Sequence, residues 1–247
     1  MQVLAMQSVT PSTADSDFVA RPPGWSRQVM LVLHKDLLIE VRSGEVLTTS
    51  AFFALLVVIT ASLSFYGGPV TKQLVASGVL WLSIAFATVL ALSRTWQRER
   101  DDGALDGLMS SPVSRSAVFA GKALGVWVFI LVVEAVVLPA TALFFSLDLG
   151  EFGVGLLLIS LFATPGLAAT GTLFGAMTVR TRARDLILAI VLFPLLSPTL
   201  LAAVVATREL LNQAELFDLI DYFKLMAVFD LTFVTGGLAL FGSLTDG

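Results

Sequence analysis

The chain has 247 residues, of which 56% are hydrophobic and 14% charged, at a mean hydropathy of +0.89. Soluble domains carry about 25% charged residues, so this composition cannot clothe a water-facing globule and implies a polytopic membrane protein. Cysteine is absent, which excludes disulfides, thiolate metal sites and a cysteine nucleophile, and no metal or nucleic acid is expected to bind.

Residues 1–24 are rich in Ser, Thr, Pro and Asp and end in Pro22-Pro23-Gly24. They lack the apolar run of a cleavable signal peptide and read as a flexible cytosolic tail. Residues 25–45 follow as one helical element. Met30, Leu33, Leu37 and Val41 share one stripe, while Gln28, Lys35 and Arg42 recur on another. That pattern predicts an interfacial amphipathic helix with its apolar face in the membrane and basic groups near lipid phosphates; a soluble helix packed on the loops is the alternative.

The six-span domain occupies 46–247. Apolar runs of about 20 residues, the length that crosses the hydrocarbon as a helix, fall near 46–66, 73–93, 117–147, 152–179, 186–206 and 225–244. No strand alternation suggests a barrel, so the fold class is all-α, with six transmembrane helices. Basic residues orient it. Arg21, Arg27, Lys35 and Arg42 precede the first span. Arg94, Arg98, Arg100, Arg115 and Lys122 lie between the second and third, and Arg180, Arg182 and Arg184 between the fourth and fifth. Those twelve of fifteen share one side, which the positive-inside rule makes cytoplasmic, with both termini. Lys72, Arg208 and Lys224 fall on the other side.

The segment 94–122 carries the run Arg98, Glu99, Arg100, Asp101, Asp102. Asp101 or Asp102 can cap a short helix, since their carboxylates accept free backbone N–H groups. Ala104, Leu105, Leu108 and Met109 form one apolar patch on that helix. Ser111 and Pro112 then read as N-cap and first residue of the next helix. Two uses fit a short amphipathic helix held at both ends by spans. One is a lid on the membrane surface; the other is a knob that fits a groove on a cytosolic partner and transmits force, as ATPases are coupled to transporter membrane subunits.

This segment resembles the loop of CcmB-type permeases, the heme exporter B family of bacterial cytochrome c maturation. The likeness rests on Asp101, Asp102, Gly103, Leu105, Asp106, Leu108, Met109, Pro112 and Lys122, and continues through Trp127, Pro139 and Asp148. It resumes in LFATPGLAATGTLFGAMTVRTRARDLILAIVLFPLLSPTLLAAVVA, residues 161–206, with Pro165, Pro194 and Pro198. The resemblance implies an ABC-2-like permease in the bacterial inner membrane, paired as a homodimer with a cytosolic ABC ATPase. It further implies a heme-handling membrane subunit and a periplasmic heme chaperone as partners, with heme delivered to the periplasmic face for c-type cytochrome biogenesis. Residues 101–112 would then form the ATPase-coupling contact, and Arg180, Arg182 and Arg184 a second cytosolic contact.

ATP is expected on the partner. Gly121-Lys122 has Ser116 where a phosphate-binding loop needs its first glycine, and Ala123 where it needs Ser or Thr. Heme is expected as cargo, not as a bound cofactor. The sole histidine, His34, lies in the interfacial helix, and Tyr66 and Tyr222 fit interfacial anchors. Glu134 is the most costly residue in lipid and is a candidate for gating or proton coupling, for polar glue between subunits, or for a protonated acid. Pro139, Pro165, Pro194 and Pro198 are candidate hinges or fixed bends. No catalytic pairing of nucleophile and base shows up, so the chain reads as a transporter subunit and not an enzyme. A permease for a drug, lipid or polysaccharide, and a membrane scaffold without transport, are the alternative readings.

Overall fold

The computed structural model describes residues 23–65, 68–101, 107, 111–178 and 184–245. Every regular element among them is helical: α1 (Trp25–Ser43), α2 (Glu45–Ser64), α3 (Pro69–Asp101), α4 (Arg115–Phe145), α5 (Leu149–Thr178), α6 (Arg184–Leu211) and α7 (Ile220–Thr245). The last six are each long and apolar enough to span a bilayer. They run alternately up and down, so each span leads directly into an antiparallel neighbour. One end of the bundle carries α1, the near end; the turns between α2 and α3, α4 and α5, and α6 and α7 form the far end.

Short-range chemistry sets the boundaries. Gly44 adopts the left-handed conformation at φ +60 that closes α1, and its N–H bonds Glu40 O at 2.6 Å, the usual role of glycine after a helix. Asp148 precedes α5 and its carboxylate accepts the Gly150 N–H at 2.8 Å, satisfying a free donor of the first turn. In α6, proline at 198 cannot donate to the carbonyl of Pro194. The Ser197 hydroxyl donates to that carbonyl instead, at 2.7 Å, so the span tolerates its prolines.

Packing in lipid depends on close approach, because apolar side chains gain little by leaving hydrocarbon. α5 is central, in contact with α3, α4, α6 and α7. Gly171 and Gly175 stand one turn apart on α5, and a Cβ on either would collide with Leu92 or Trp96 of α3. The glycine pair therefore serves an intrachain seam. α2 and α7 are the least covered spans, presenting Phe52, Leu63, Val228 and Leu231 outward.

Two predicted boundaries are corrected. α3 continues through Arg94 to Asp101, so the charged run begins as an extension of a span, and Asp101 ends a helix where it was expected to start one. α4 begins at Arg115 after Ser114, three residues beyond the expected Ser111-Pro112 start. Pro112 lies in an exposed bend, and Ser114 after it bonds Gln28 of α1.

Candidate functional site at the roots of the charged segment

α1 lies along the near end of α4, and the contact is made possible by glycine. A Cβ on Gly121 would stand 2.7 Å from Val32 Cβ and 2.9 Å from Val29 O, too close for any larger residue. The face of α1 that meets the bundle carries Gln28, Val29, Val32, Asp36 and Glu40, all buried. The expected placement of polar groups toward lipid is thus corrected for Gln28 and Lys35, which face protein, while Arg42 stays exposed. Met30, Leu31 and Val41 of α1 point outward.

Two lysines and two carboxylates close a ring across three helices. Lys122 Nζ of α4 lies 2.7 Å from Glu99 Oε1 of α3 and 3.2 Å from Asp36 Oδ2 of α1. Lys35 Nζ reaches the same two carboxylates at 2.8 and 3.2 Å. Lys122 is only 2% exposed and its ammonium also sits 5.4 Å from the centre of the Trp96 ring, within range of a cation–π attraction. A lone buried charge would be strongly disfavoured, and pairing with hydrogen bonds is what makes burial tolerable. Burial works against the Lys35 ammonium, but the Asp36 carboxylate and the Glu99 bond outweigh it and raise the pKa above the ordinary lysine value.

Neighbouring contacts complete the attachment. Arg98 pairs with buried Glu40 at 3.4 Å and with Glu45 at 3.3 Å, and donates to Ser43 Oγ at 3.2 Å. Glu40 also accepts the Leu47 N–H at 2.8 Å. Gln28 accepts both the Ser114 N–H at 2.9 Å and its hydroxyl at 3.1 Å, and Trp25 Nε1 donates to Ser116 Oγ at 3.1 Å. One surface helix therefore holds both roots of the charged segment: the end of α3 through Arg98 and Glu99, and the start of α4 through Ser114, Ser116 and Lys122. Both roots are thereby tied to α1 through buried ionic contacts.

Of the residues singled out from sequence, Asp102, Gly103, Leu105, Asp106, Leu108, Met109, Arg180 and Arg182 lie outside the described residues. Asp101 closes α3, Arg184 opens α6, and Pro112 lies between α3 and α4. Glu134 is buried in α4, 2% exposed, against Ser160 of α5. It stands roughly 18 Å along α4 from Lys122 at 1.5 Å per residue, so it is not part of the ionic ring. Pro139 lies within α4, Pro165 within α5, and Pro194 and Pro198 within α6. Sequence reading missed Lys35, Asp36, Glu40 and Glu99 as a site. The signal was the stripe Val29, Val32, Asp36, Glu40, an acid-bearing face opposite one that suits lipid. Among the described residues no group of acids and histidines has metal-site geometry.

Six apolar helices with a charge-anchored surface helix at one end define a polytopic helical membrane protein. The family model described as CcmB protein matches residues 27–243; the chain belongs to the CcmB family. It is similar to "Heme exporter protein B" of Rhodobacter capsulatus, 32% identical over 69% of this chain and 78% of that protein. It is also similar to the proteins of the same name from Bradyrhizobium diazoefficiens, 28% identical over 87% and 96%, and Paracoccus denitrificans, 29% over 72% and 81%.

Proposed function

We propose that the chain is the membrane subunit of an ATP-driven heme exporter that delivers heme to the periplasmic face for c-type cytochrome assembly. Family membership supports the cargo, and the ionic ring at the roots of segment 102–114 supports the coupling. In this reading the near end is cytoplasmic, with both termini, and the membrane is the bacterial inner membrane. The basic residues crowd that end, as the positive-inside rule requires. A separate cytosolic ABC ATPase seats on the segment that bears Leu105, Leu108 and Met109, with Arg180, Arg182 and Arg184 as a second contact. ATP-driven closure pushes both roots, and the ring passes the push jointly to α3, α4 and α1. Two copies pair in the complex, alongside a heme-handling membrane subunit and a periplasmic heme chaperone. Glu134 and the four prolines shape the spans through which that motion travels.

The single observation that carries the coupling is the bond from Lys122 to Glu99 and Asp36, which joins the two spans flanking the segment. The test is a heme-stained gel of c-type cytochromes in a host lacking this gene. Wild type restores the stain, and Leu108→Asp, which puts a charge in the docking patch, does not restore it and loses copurification with the ATPase. Normal cytochromes in the deleted host would reject the heme reading. Leu108→Asp that still copurifies with the ATPase would reject the coupling.

A further inference from the structure

The far end of the bundle holds a groove of about 670 Å³ between α2, α3 and α6, within the roughly 300–1,000 Å³ range of small-molecule sites. Its wall is apolar and aromatic, with Trp81 on its floor and Phe193 and Leu201 at its side. The Trp81 indole N–H donates to Thr207 Oγ1 at 2.8 Å, which fixes α3 to α6 and preforms the floor. Gly78 opens the groove, since a Cβ there would meet nothing within 4 Å. Next to Thr207, Arg208 brings a cation to the mouth. It pairs with adjacent Glu209 at 3.5 Å, both side chains well exposed, a weak contact that an anion arriving from the groove can displace. Lys224, another cation at this end, is engaged by Asp221 at 2.9 Å.

A flat apolar cleft with one cation at its lip complements an amphipathic anion: a planar hydrocarbon body ending in carboxylate. Arginine suits that end because its planar fork donates two parallel N–H bonds to a carboxylate. No His, Cys, Met or Tyr is among the described residues that line the groove, so its chemistry recognises the organic body and not an iron. A second, smaller cavity of about 270 Å³ between α4, α5 and α7, beneath Trp25, has an apolar lining without such a cation.

We propose that the groove between α2, α3 and α6 is a subsite for the porphyrin cargo, which lays its rings against Phe193 and Leu201, above the buried Trp81, and its carboxylate on Arg208, with the iron left unligated by this chain. The assignment rests on the reading of the chain as a heme exporter subunit, and it places the cargo at the end opposite the ionic ring, where release would occur.

The test uses the full chain in phospholipid nanodiscs, titrated with iron protoporphyrin IX, metal-free protoporphyrin IX and protoporphyrin IX dimethyl ester. Tryptophan quenching is read against empty nanodiscs. The iron-bearing and iron-free acids are expected to bind equally within about twofold, and the ester about tenfold more weakly, the loss of one charge-assisted pair. Arg208→Gln should reduce the acids to the affinity of the ester and leave the ester unchanged, while Arg208→Lys recovers part of the loss. Gly78→Leu, which fills open space and favours helix, should weaken all three, with the helical circular dichroism of wild type as the check on folding. Binding of the iron form alone, with an absorption spectrum of axial ligation, would overturn the proposal. So would titrations unaltered in both Arg208→Gln and Gly78→Leu, the result expected if lipid or a second copy fills the groove. If the gene-deleted host matures its cytochromes normally, the exporter reading has failed. If it requires wild type but accepts both groove variants, with unaltered titrations, the subsite alone has failed.

Discussion

Lys122→Met keeps the length of the side chain and deletes the ammonium that Asp36 and Glu99 share. Taking one partner from a buried ion pair costs about 3–5 kcal/mol, because the remaining charge stays buried without compensation. Here Lys35 still reaches Glu99 at 2.8 Å and Asp36 at 3.2 Å, although its side chain is 34% exposed and shares its charge between them. The expected loss therefore falls at the lower end, about 3 kcal/mol. For a chain of this size 1 kcal/mol moves the melting temperature by about 2–4 °C, so the midpoint should fall by roughly 6–12 °C. Thermal unfolding of the purified protein in nanodiscs reads this, and heme-stained cytochromes read the functional consequence. The double variant Lys122→Met/Glu99→Gln removes one charge of each sign and should be less destabilised than the two single variants summed, by roughly 1–3 kcal/mol. A Lys122→Met midpoint within about 1 °C of wild type, or strict additivity in the double variant, would show that the ring carries no strain between the spans.

Gly121→Val should lift α1 from α4, since its Cβ meets Val32 Cβ at 2.7 Å and the Val29 carbonyl at 2.9 Å; loss of maturation with normal membrane insertion, seen by heme stain and immunoblot, is the expected pairing. Overpacking of this kind costs typically about 1–3 kcal/mol, which the same melting assay detects. Glu134→Gln keeps a polar group against Ser160 and should leave both stability and cytochrome staining near wild type, whereas Glu134→Leu should lower the stain; a lost stain in Glu134→Gln would instead assign the carboxyl itself a role in transport. The Lys35 pKa is raised on folding, so its contribution is full below the ordinary lysine pKa and is lost as pH rises through the raised value. The melting difference between wild type and Lys35→Gln should hence be flat from about pH 6 to 9 and shrink above about pH 10.5.

The spans were legible because lipid imposes a length and a composition that few other constraints imitate: each predicted apolar run overlaps an observed helix from α2 to α7. Their ends were less legible. Arg94, Arg98 and Glu99 look like loop residues by hydropathy, yet they continue α3, since ion pairs to Glu45, Glu40 and Lys35 replace the solvent that hydropathy assumes they need. The same blindness hid the site. Lys122 was visible as a positive-inside charge and as part of the family likeness, but a one-dimensional reading pairs residues by spacing, and its partners lie 23 and 86 positions away. α1 shows why the error had a direction. Its outward residues Met30 and Val41 suit lipid as expected, so Lys35 was assigned to headgroups when it belonged to protein. In a membrane protein a charged stripe has two destinations, water with lipid phosphate or a matching stripe of opposite charge. An acid such as Asp36 or Glu40, set on the same side as Val29 and Val32 on a helix beside an anionic surface, favours the second, because repulsion from phosphate opposes the first. That rule, applied to α1, locates the ring from sequence and leaves to the structure the question of which lysine answers it.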